Sequence, residues 1–170
     1  MNKSEFLNKF AAIIVKTTTG TPLFPSVAIA QCILESGWGR YCMGAANNFF
    51  GIKAFPTWKG KVISTTTTEV LKSGTVSFKG TGKIYNTYNE AVNDGANKQT
   101  LFRCYPSFIE SIQDHTDLIV KSPRYAAALI AKTPEAQITE IKKAGYATAT
   151  NYVKTIMQII NANSLTNYDK

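Results

Sequence analysis

The feature that most constrains the fold is a change of sequence pattern in the middle of the chain. Between Trp58 and Tyr105, β-branched and aromatic residues are punctuated by glycines, a composition that is typical of β-hairpins. On either side, apolar residues recur at helical spacing, as they do from Ser4 to Lys16. The pattern therefore predicts an α+β fold, in which a mainly helical lobe is interrupted by one small β lobe.

Local signals predict where the helices begin and end. Pro25 suits the first turn of a second helix because its φ is fixed, and Ser36 and Gly37 are expected to end that helix, with Glu35 as its last residue. A last helix is expected from about Asn151 to Asn163. The remaining boundary signals are a capping box, two prolines and one glycine: Ser107 with Glu110, Pro123, Pro134 and Gly145.

Length and composition limit the number of domains. The chain has 170 residues, of which 44% are hydrophobic and 18% are charged. This is enough apolar material for one packed core and too little chain to expect two. Neither an internal repeat nor a low-complexity linker is visible, so we expect a single domain over residues 1–170.

The balance of charge is strongly basic. Lysines and arginines number 19 against 11 acidic residues, which gives a formal net charge of +8. Such a chain is drawn to polyanions, among them nucleic acids and the anionic bacterial envelope. The lysines are scattered without a dense run or a base-reading motif, so we do not expect a nucleic-acid partner.

Apolar runs in this sequence are short. The longest near the N-terminus, Phe10 to Val15, has six residues and no small-residue cleavage site after it. That length suits neither a secretory signal nor a membrane span. We expect no insertion into a membrane, and we expect that an export signal was removed or that another device, such as a phage lysis system or a virion, delivers the protein.

Cysteine and histidine usage argues against a metal centre. Cys32, Cys42 and Cys104 are odd in number and lack paired C-x-x-C spacing, so buried reduced thiols are expected. A disulfide from Cys104 to Cys32 or to Cys42 stays open, because sequence gives no distances. His115 is the sole histidine and is expected to be structural. The sequence predicts no metal ion and no organic cofactor.

Glu35 is the acidic residue with the most unusual surroundings. It ends an almost wholly apolar helix, follows Ile33 and Leu34, and precedes Gly37 and Trp38. A carboxyl group buried in such surroundings has a raised pKa and can donate a proton near neutral pH. The alternative is an exposed glutamate at a helix end, which is the commoner situation for this residue type.

The wider sequence around Glu35 is similar to a known family. The matching strings, in order, are PSVAIAQCILESGWG at 25–39, NNFFGIK at 47–53, FRCYPS at 102–107, ES at 110–111, DH at 114–115, RY at 124–125 and GYAT at 145–148. Together they resemble the glucosaminidases of glycoside hydrolase family 73, which includes flagellar and autolytic peptidoglycan hydrolases. The resemblance runs from about Pro25 to the C-terminus.

This resemblance implies a fold, a reaction and three catalytic residues. The fold is lysozyme-like, and the reaction is cleavage of the β-1,4 bond after N-acetylglucosamine in peptidoglycan. The family's acid in its E-S-G-W-G context corresponds to Glu35. Its second carboxylate, a glutamate in a T-x-E context on the β lobe, corresponds to Glu69. The tyrosine of G-Y-A-T corresponds to Tyr146, which is placed beside the acid to steady developing charge.

Residues close to such an acid are candidates for holding the sugar. Aromatic rings stack on pyranose faces, which makes Trp38, Phe50 and Tyr152 candidates, together with Tyr146. Asn48 is a candidate hydrogen-bond donor to an N-acetyl group. Each of these side chains is also suited to core packing.

The sequence departs from the family pattern in two places. Ala149 and Thr150 follow G-Y-A-T where the family often has Asp-Pro, and the stretch from Val70 to Leu101 is longer than the usual hairpin. Glu90 lies in that longer stretch, in what is expected to be a polar loop that also contains Asp94, so Glu90 is the alternative to Glu69. Two routes stay open: attack by water with Glu69 as base, or assistance by the substrate's N-acetyl group with Tyr146 stabilising it.

We therefore expect a monomeric peptidoglycan hydrolase that acts at the bacterial cell wall, in the periplasm or outside the cell. One alternative in the same class is a muramidase or lytic transglycosylase, which cuts the other glycosidic bond. An alternative of another class is a wall-binding or structural module that has kept the fold and lost turnover.

Overall fold

The computed structural model describes residues 2–41, 44–71 and 74–170. By their contacts, the residues form two compact units. The first consists of Met1–Tyr41 and Ile112–Lys170, and the second consists of Cys42–Ser111. The first unit is helical and the second contains the strands, as the change of sequence pattern predicts.

The helices of the described residues are short to medium in length. In chain order they are α1 (Lys3–Thr18), α2 (Pro25–Ser36), α3 (Tyr88–Asn93), α4 (Phe108–Lys121), α5 (Ala126–Leu129), α6 (Pro134–Lys143) and α7 (Tyr152–Ala162). Single 3₁₀ turns cover Gly44–Ala46, Lys98–Thr100, Pro123–Tyr125 and Leu165–Tyr168. Within the described part of the chain, no helix has both the length and the hydrophobicity to cross a bilayer.

The first unit is organised around α2. Because this helix is apolar on almost every side, it is buried along nearly its whole length and contacts α1, α6, α7 and the last 3₁₀ turn. The boundary signals in the sequence act as expected here. Pro25 occupies the first turn of α2, and Gly37 adopts a left-handed conformation (φ 55°) directly after it.

The second unit contains two small antiparallel sheets. Strands β1 (Val62–Ser64), β4 (Ile84–Tyr85) and β5 (Leu101–Arg103) form one sheet in the order β4-β1-β5. Strands β2 (Thr67–Leu71) and β3 (Gly74–Phe78) form a separate hairpin, in which Glu69 is opposite Val76. Residues of the three-stranded sheet and of the segments around it form an apolar cluster made of Ala54, Val62, Tyr85, Tyr88, Ala91, Ala96 and Leu101.

One segment of the second unit differs from the sequence-based expectation. The residues around Glu90 and Asp94 were expected to form a polar loop, but the structure contains the short helix α3 there. The Thr87 side chain caps its first turn by accepting a hydrogen bond from the Glu90 N–H, 3.1 Å away. Tyr88 and Ala91 are buried and fix the helix on the apolar cluster. Two buried residues in six are too weak a periodic signal to predict a helix.

Candidate active site

A tight turn after α2 fixes the position of Glu35. The N–H of Trp38 donates to the Ile33 carbonyl over 3.1 Å, and the N–H of Tyr41 donates to the Ser36 carbonyl over 2.8 Å. Gly37 is required at this turn, because a Cβ atom there would lie 2.4 Å from Cδ2 of Tyr41. Its positive φ also disfavours any residue with a side chain. Glu35 thus projects from the last turn of a rigid, buried helix.

The surroundings of Glu35 change its acidity. Burial raises the pKa of its carboxyl group from 4.5 to about 7, and a hydrogen bond from Tyr152 opposes part of this increase. Burial has the larger effect because the charged form loses its hydration. A carboxyl group with a pKa of about 7 is protonated in a large share of molecules at neutral pH and can serve as a general acid.

Two tyrosines of the first unit, Tyr146 and Tyr152, lie close to this acid, and a third, Tyr125, packs against Tyr146. The ring of Tyr146 lies 6.0 Å from that of Tyr152 and 6.4 Å from that of Tyr125, centroid to centroid. The Tyr152 hydroxyl accepts a hydrogen bond from Nε2 of the buried Gln31, 3.1 Å away. Tyr152 therefore links two side chains of α2, one turn apart, by accepting from Gln31 and donating to Glu35.

Burial keeps these tyrosines in their neutral form. It raises the pKa of Tyr146 and that of Tyr152 well above the usual range, and the nearby Glu35 carboxylate raises both further. A neutral phenol retains its proton and can donate a hydrogen bond to an oxygen that gains negative charge. The cluster therefore supplies hydrogen-bond donors beside the acid and has no second base at neutral pH.

His115 touches this cluster as a structural residue. It is fully buried on α4, and burial lowers its pKa to about 3, so its imidazole is neutral. Its ring meets that of Tyr146 edge-on, at 5.9 Å and 89°. This geometry agrees with the sequence-based interpretation of His115 as a structural group, with the addition that it packs on Tyr146.

Glu69 lies in the second unit, on β2, and is held by neighbours within that unit. Its Oε1 is 2.6 Å from Nζ of Lys53 and accepts a longer hydrogen bond of 3.3 Å from Oγ1 of Thr67. Lys53 itself stacks on the ring of Phe102, 4.1 Å from its centroid. The carboxylate is partly exposed, so it combines a defined orientation with access for a ligand or water.

Three other acidic side chains, Glu90, Glu110 and Asp94, have structural partners. Glu90 accepts a hydrogen bond from the Asn86 N–H at 2.9 Å, beside the start of α3. Glu110 accepts from Ser107, whose hydroxyl in turn caps the N–H of Ile109, so the predicted helix start is confirmed. Asp94 pairs with Lys83, which lowers the pKa of this aspartate. Glu90, the alternative to Glu69, is exposed, and its carboxylate already accepts the hydrogen bond from Asn86.

The predicted sugar-binding residues have different environments. Trp38 packs edge-on against Phe6, with ring centroids 5.5 Å apart, and Lys3 lies over its ring. Phe50 is 5% exposed, and Tyr152 is 4% exposed. Trp38 retains partial exposure, whereas Phe50 and Tyr152 offer little ring face to a sugar.

The side chain of Asn48, predicted to bind an N-acetyl group, makes all of its hydrogen bonds within the protein. Its side chain is 0% exposed, and both amide protons are donated to backbone carbonyls, those of Ile52 (3.0 Å) and Arg103 (2.9 Å). Its Oδ1 accepts from the Ile52 N–H at 3.0 Å. Because both of its amide protons are already donated, Asn48 has none for an N-acetyl group. Its side chain instead connects the backbone at Ile52 with the backbone at Arg103.

Sequence reasoning missed two side chains of this site. Tyr41 is 71% exposed and lies against Gly37, in the turn directly after the acid. Gln31 is fully buried and anchors the Tyr152 hydroxyl. The spacing of Gln31 and Glu35, one helical turn apart, was an available signal for a shared face. No signal in the sequence separates the exposed Tyr41 from the packed Trp38.

Cysteines and candidate metal ligands give no further site among the described residues. Cys32 and Cys104 are buried reduced thiols, and burial raises the pKa of Cys104 to about 11. Cys42, the third predicted thiol, lies outside the described residues. Within residues 2–41, 44–71 and 74–170, no three side chains of His, Cys, Asp or Glu are grouped so that they could hold a metal ion.

Known proteins are similar to this chain in both sequence and fold. Residues 11–165 match the glucosaminidase family, described as mannosyl-glycoprotein endo-beta-N-acetylglucosaminidase. The peptidoglycan hydrolase FlgJ of Salmonella typhimurium is 35% identical over 138 residues, which cover 78% of this chain and 37% of that protein. A probable N-acetylmuramidase of Lactococcus lactis is 33% identical over an alignment that covers 99% of this chain and 36% of that protein.

Among solved structures, the catalytic domain of the autolysin Auto from Listeria monocytogenes matches with a TM-score of 0.73 at 26% identity, over 98% of this chain and 86% of that one. The chain spans little more than a third of the length of the two curated relatives. The predicted α+β, lysozyme-like fold class is confirmed by these matches, as is the resemblance to glycoside hydrolase family 73. The chain belongs to the glucosaminidase family of glycoside hydrolases.

Proposed function

We propose that this chain hydrolyses the glycan strands of bacterial peptidoglycan, at the β-1,4 bond after N-acetylglucosamine, with Glu35 as the general acid. The observation that carries the proposal is the partial burial of Glu35, which raises the pKa of its carboxyl group to about 7. Cleavage of a glycosidic bond requires a proton on the leaving oxygen, and an acid of this strength delivers it near neutral pH.

The tyrosines beside the acid have complementary roles in this proposal. Tyr152 donates to the Glu35 carboxylate, so it orients the acid and stabilises it after the proton has left. Tyr146 keeps its proton because its pKa is raised well above the usual range. We assign to it a hydrogen bond that steadies charge developing at the reacting sugar or at its N-acetyl group.

Glu69 is our candidate for the second carboxylate. Its support is the ion pair with Lys53, which holds one oxygen in place and leaves the group partly exposed. A carboxylate in this role activates water or attacks the sugar directly. If Glu69 is not required, assistance by the substrate's own N-acetyl group with Tyr146 as its partner is the remaining route. Glu90 is disfavoured because it already caps a turn.

Sugar binding is assigned to exposed aromatic rings near the acid. Tyr41 has the largest exposure of these rings and Trp38 a partial one, whereas Phe50 and Tyr152 are buried. We therefore place stacking on Tyr41 and Trp38. The proposed place of action is the bacterial cell wall, in the periplasm or outside the cell. A monomeric state, the absence of a nucleic-acid partner and delivery by a phage or virion stay predictions.

A muramidase is the second candidate, because one relative carries the name of a probable N-acetylmuramidase. The two activities leave different sugars at the new reducing ends. Purified peptidoglycan is digested, the products are reduced with borohydride, and the reduced sugar is identified by mass spectrometry. The proposal predicts reduced N-acetylglucosamine. Reduced N-acetylmuramic acid would establish a muramidase. An anhydro-muramyl product would establish a lytic transglycosylase. Binding to the wall without released sugar would establish a non-catalytic module.

A further inference from the structure

The segment that carries Tyr146 joins α6 to α7 without regular secondary structure over most of its length. Two basic side chains tie its ends. Arg124 donates to the Ala144 carbonyl from Nε (3.1 Å) and from Nη2 (2.6 Å), and Lys142 donates to the Thr150 carbonyl at 2.7 Å. Tyr146, the proposed charge-stabilising residue, thus lies on a loop whose backbone path depends on hydrogen bonds donated by these two side chains.

Arg124 also contacts the ring next to Tyr146. Its guanidinium carbon lies 4.7 Å from the centroid of the Tyr125 ring, and Tyr125 in turn packs 6.4 Å from Tyr146. The same planar group therefore bonds to the backbone two residues before Tyr146 and lies over the Tyr125 ring, which packs on Tyr146. Tyr125 is buried, so its side chain has few alternative positions.

Gly145 makes this arrangement fit. Its φ of 85° lies in the left-handed region, and a Cβ atom there would be 3.3 Å from Nη2 of Arg124. Glycine therefore lets the backbone turn at this point and leaves room for the guanidinium group. A lysine in place of Arg124 keeps the charge, but it cannot donate two hydrogen bonds from one planar group and has no planar group to lie over the Tyr125 ring.

We propose that Arg124, acting through the Ala144 carbonyl and Tyr125, is a positioning residue that sets the placement of Tyr146 beside Glu35. This inference rests on the proposed function, because it assigns Arg124 a role in the same site. Arg124 is itself exposed, so its interactions contribute little to holding the core together. Its effect is expected in the chemistry more than in thermal stability.

The test compares Arg124→Lys, which keeps the charge, with Lys132→Gln, which removes the charge of an exposed lysine nearby in sequence. For Arg124→Lys we expect kcat to fall about tenfold to hundredfold, because small displacements of a stabilising group are costly. The KM for peptidoglycan is expected to change less than about threefold, and Lys132→Gln to behave as wild type. Gly145→Ala should reproduce the Arg124→Lys result by displacing the guanidinium group.

A second readout needs no substrate. The carboxyl carbon of Glu35 is followed by NMR in protein labelled at glutamate, with Glu35→Gln identifying the signal. The ionisable groups that act on Tyr146 are Glu35, Tyr125, Tyr152 and Cys32, and His115 packs on its ring. A displaced Tyr146 admits water, so the Glu35 midpoint should fall from about 7 by roughly half a pH unit or more in Arg124→Lys.

The inference is overturned if Arg124→Lys and Gly145→Ala, both folded, keep wild-type kcat and an unchanged Glu35 midpoint. A fall in the midpoint supports it even if the wild-type protein releases no sugar from peptidoglycan, a result that would defeat the proposed function alone. A loss of kcat in Arg124→Lys with an unchanged Glu35 midpoint would also overturn the inference, because the loss would then not come from a displaced Tyr146.

Discussion

Replacing Tyr152 with phenylalanine tests how the acidity of Glu35 is set. The substitution removes one hydroxyl from a buried ring and changes little else in shape. Two hydrogen bonds are lost: the one donated to the Glu35 carboxyl group and the one accepted from Nε2 of Gln31 at 3.1 Å. The first loss affects the pKa of Glu35, and the second leaves a buried amide without its acceptor.

The direction of each effect follows from the contacts. The Tyr152 hydroxyl favours the charged form of Glu35 and lowers its pKa, so its removal must raise that pKa above about 7. A hydrogen bond to a charged group contributes about 1.5–3 kcal/mol, and 1.36 kcal/mol corresponds to one pH unit. Because part of this is recovered by water, we expect an upward change of about one unit. The unsatisfied Gln31 amide should cost about 1–3 kcal/mol of stability.

The assay is the pH dependence of kcat/KM on purified peptidoglycan between pH 4 and 10. If the protonated form of Glu35 is the active one, activity is lost as the pH rises through its pKa, so the alkaline limb of Tyr152→Phe should lie about one pH unit above that of wild type. Tyr168→Phe, which removes the same hydroxyl from the last 3₁₀ turn, is the matched control. A limb that stays in place or moves down would refute this account of the Glu35 environment.

Three further predictions concern the second carboxylate, metal ions and Asn48. Glu69→Gln should lower kcat/KM at least about hundredfold, whereas Glu90→Gln should stay within about threefold of wild type. The reverse pattern would make Glu90 the second carboxylate. Exhaustive chelation should leave activity within about twofold, and a loss that is restored by a divalent metal would contradict this. Asn48→Ala should lower the free energy of unfolding by about 2–4 kcal/mol, because buried backbone groups lose their partners. Full stability with a large rise in KM would restore its predicted role in substrate binding.

The fold was predictable where one chemical signal dominated. Pro25, Gly37 and the almost wholly apolar stretch between them define α2, which begins at the predicted residue and ends at Ser36, one residue beyond the predicted end at Glu35. The short helix α3 was not predictable, because its position depends on packing against a distant cluster of apolar residues. Local propensity over six residues is too weak to indicate such an element.

The acid could be identified from sequence, but its surroundings could not. Glu35 stands out because it ends an apolar helix, and the resemblance points to the same residue. The exposed or packed state of Trp38, Tyr41 and Asn48 depends on contacts with remote segments, such as Phe6 for Trp38 and Arg103 for Asn48. Spacing along the chain does not encode those contacts, so it does not show which of these side chains is open to a sugar.

The central claim is that Glu35 provides the proton, and Glu35→Gln tests it directly. Reducing ends released from purified peptidoglycan are measured at pH 6 for wild type and variant, after both are shown to be folded. The account predicts a loss of about a hundred- to ten-thousand-fold. It also predicts that the variant is more stable than wild type above pH 7 by up to about 3 kcal/mol, because folding raises the pKa of Glu35 from 4.5 to about 7 and ionising the buried group destabilises the fold. Activity within a few-fold of wild type would contradict the claim.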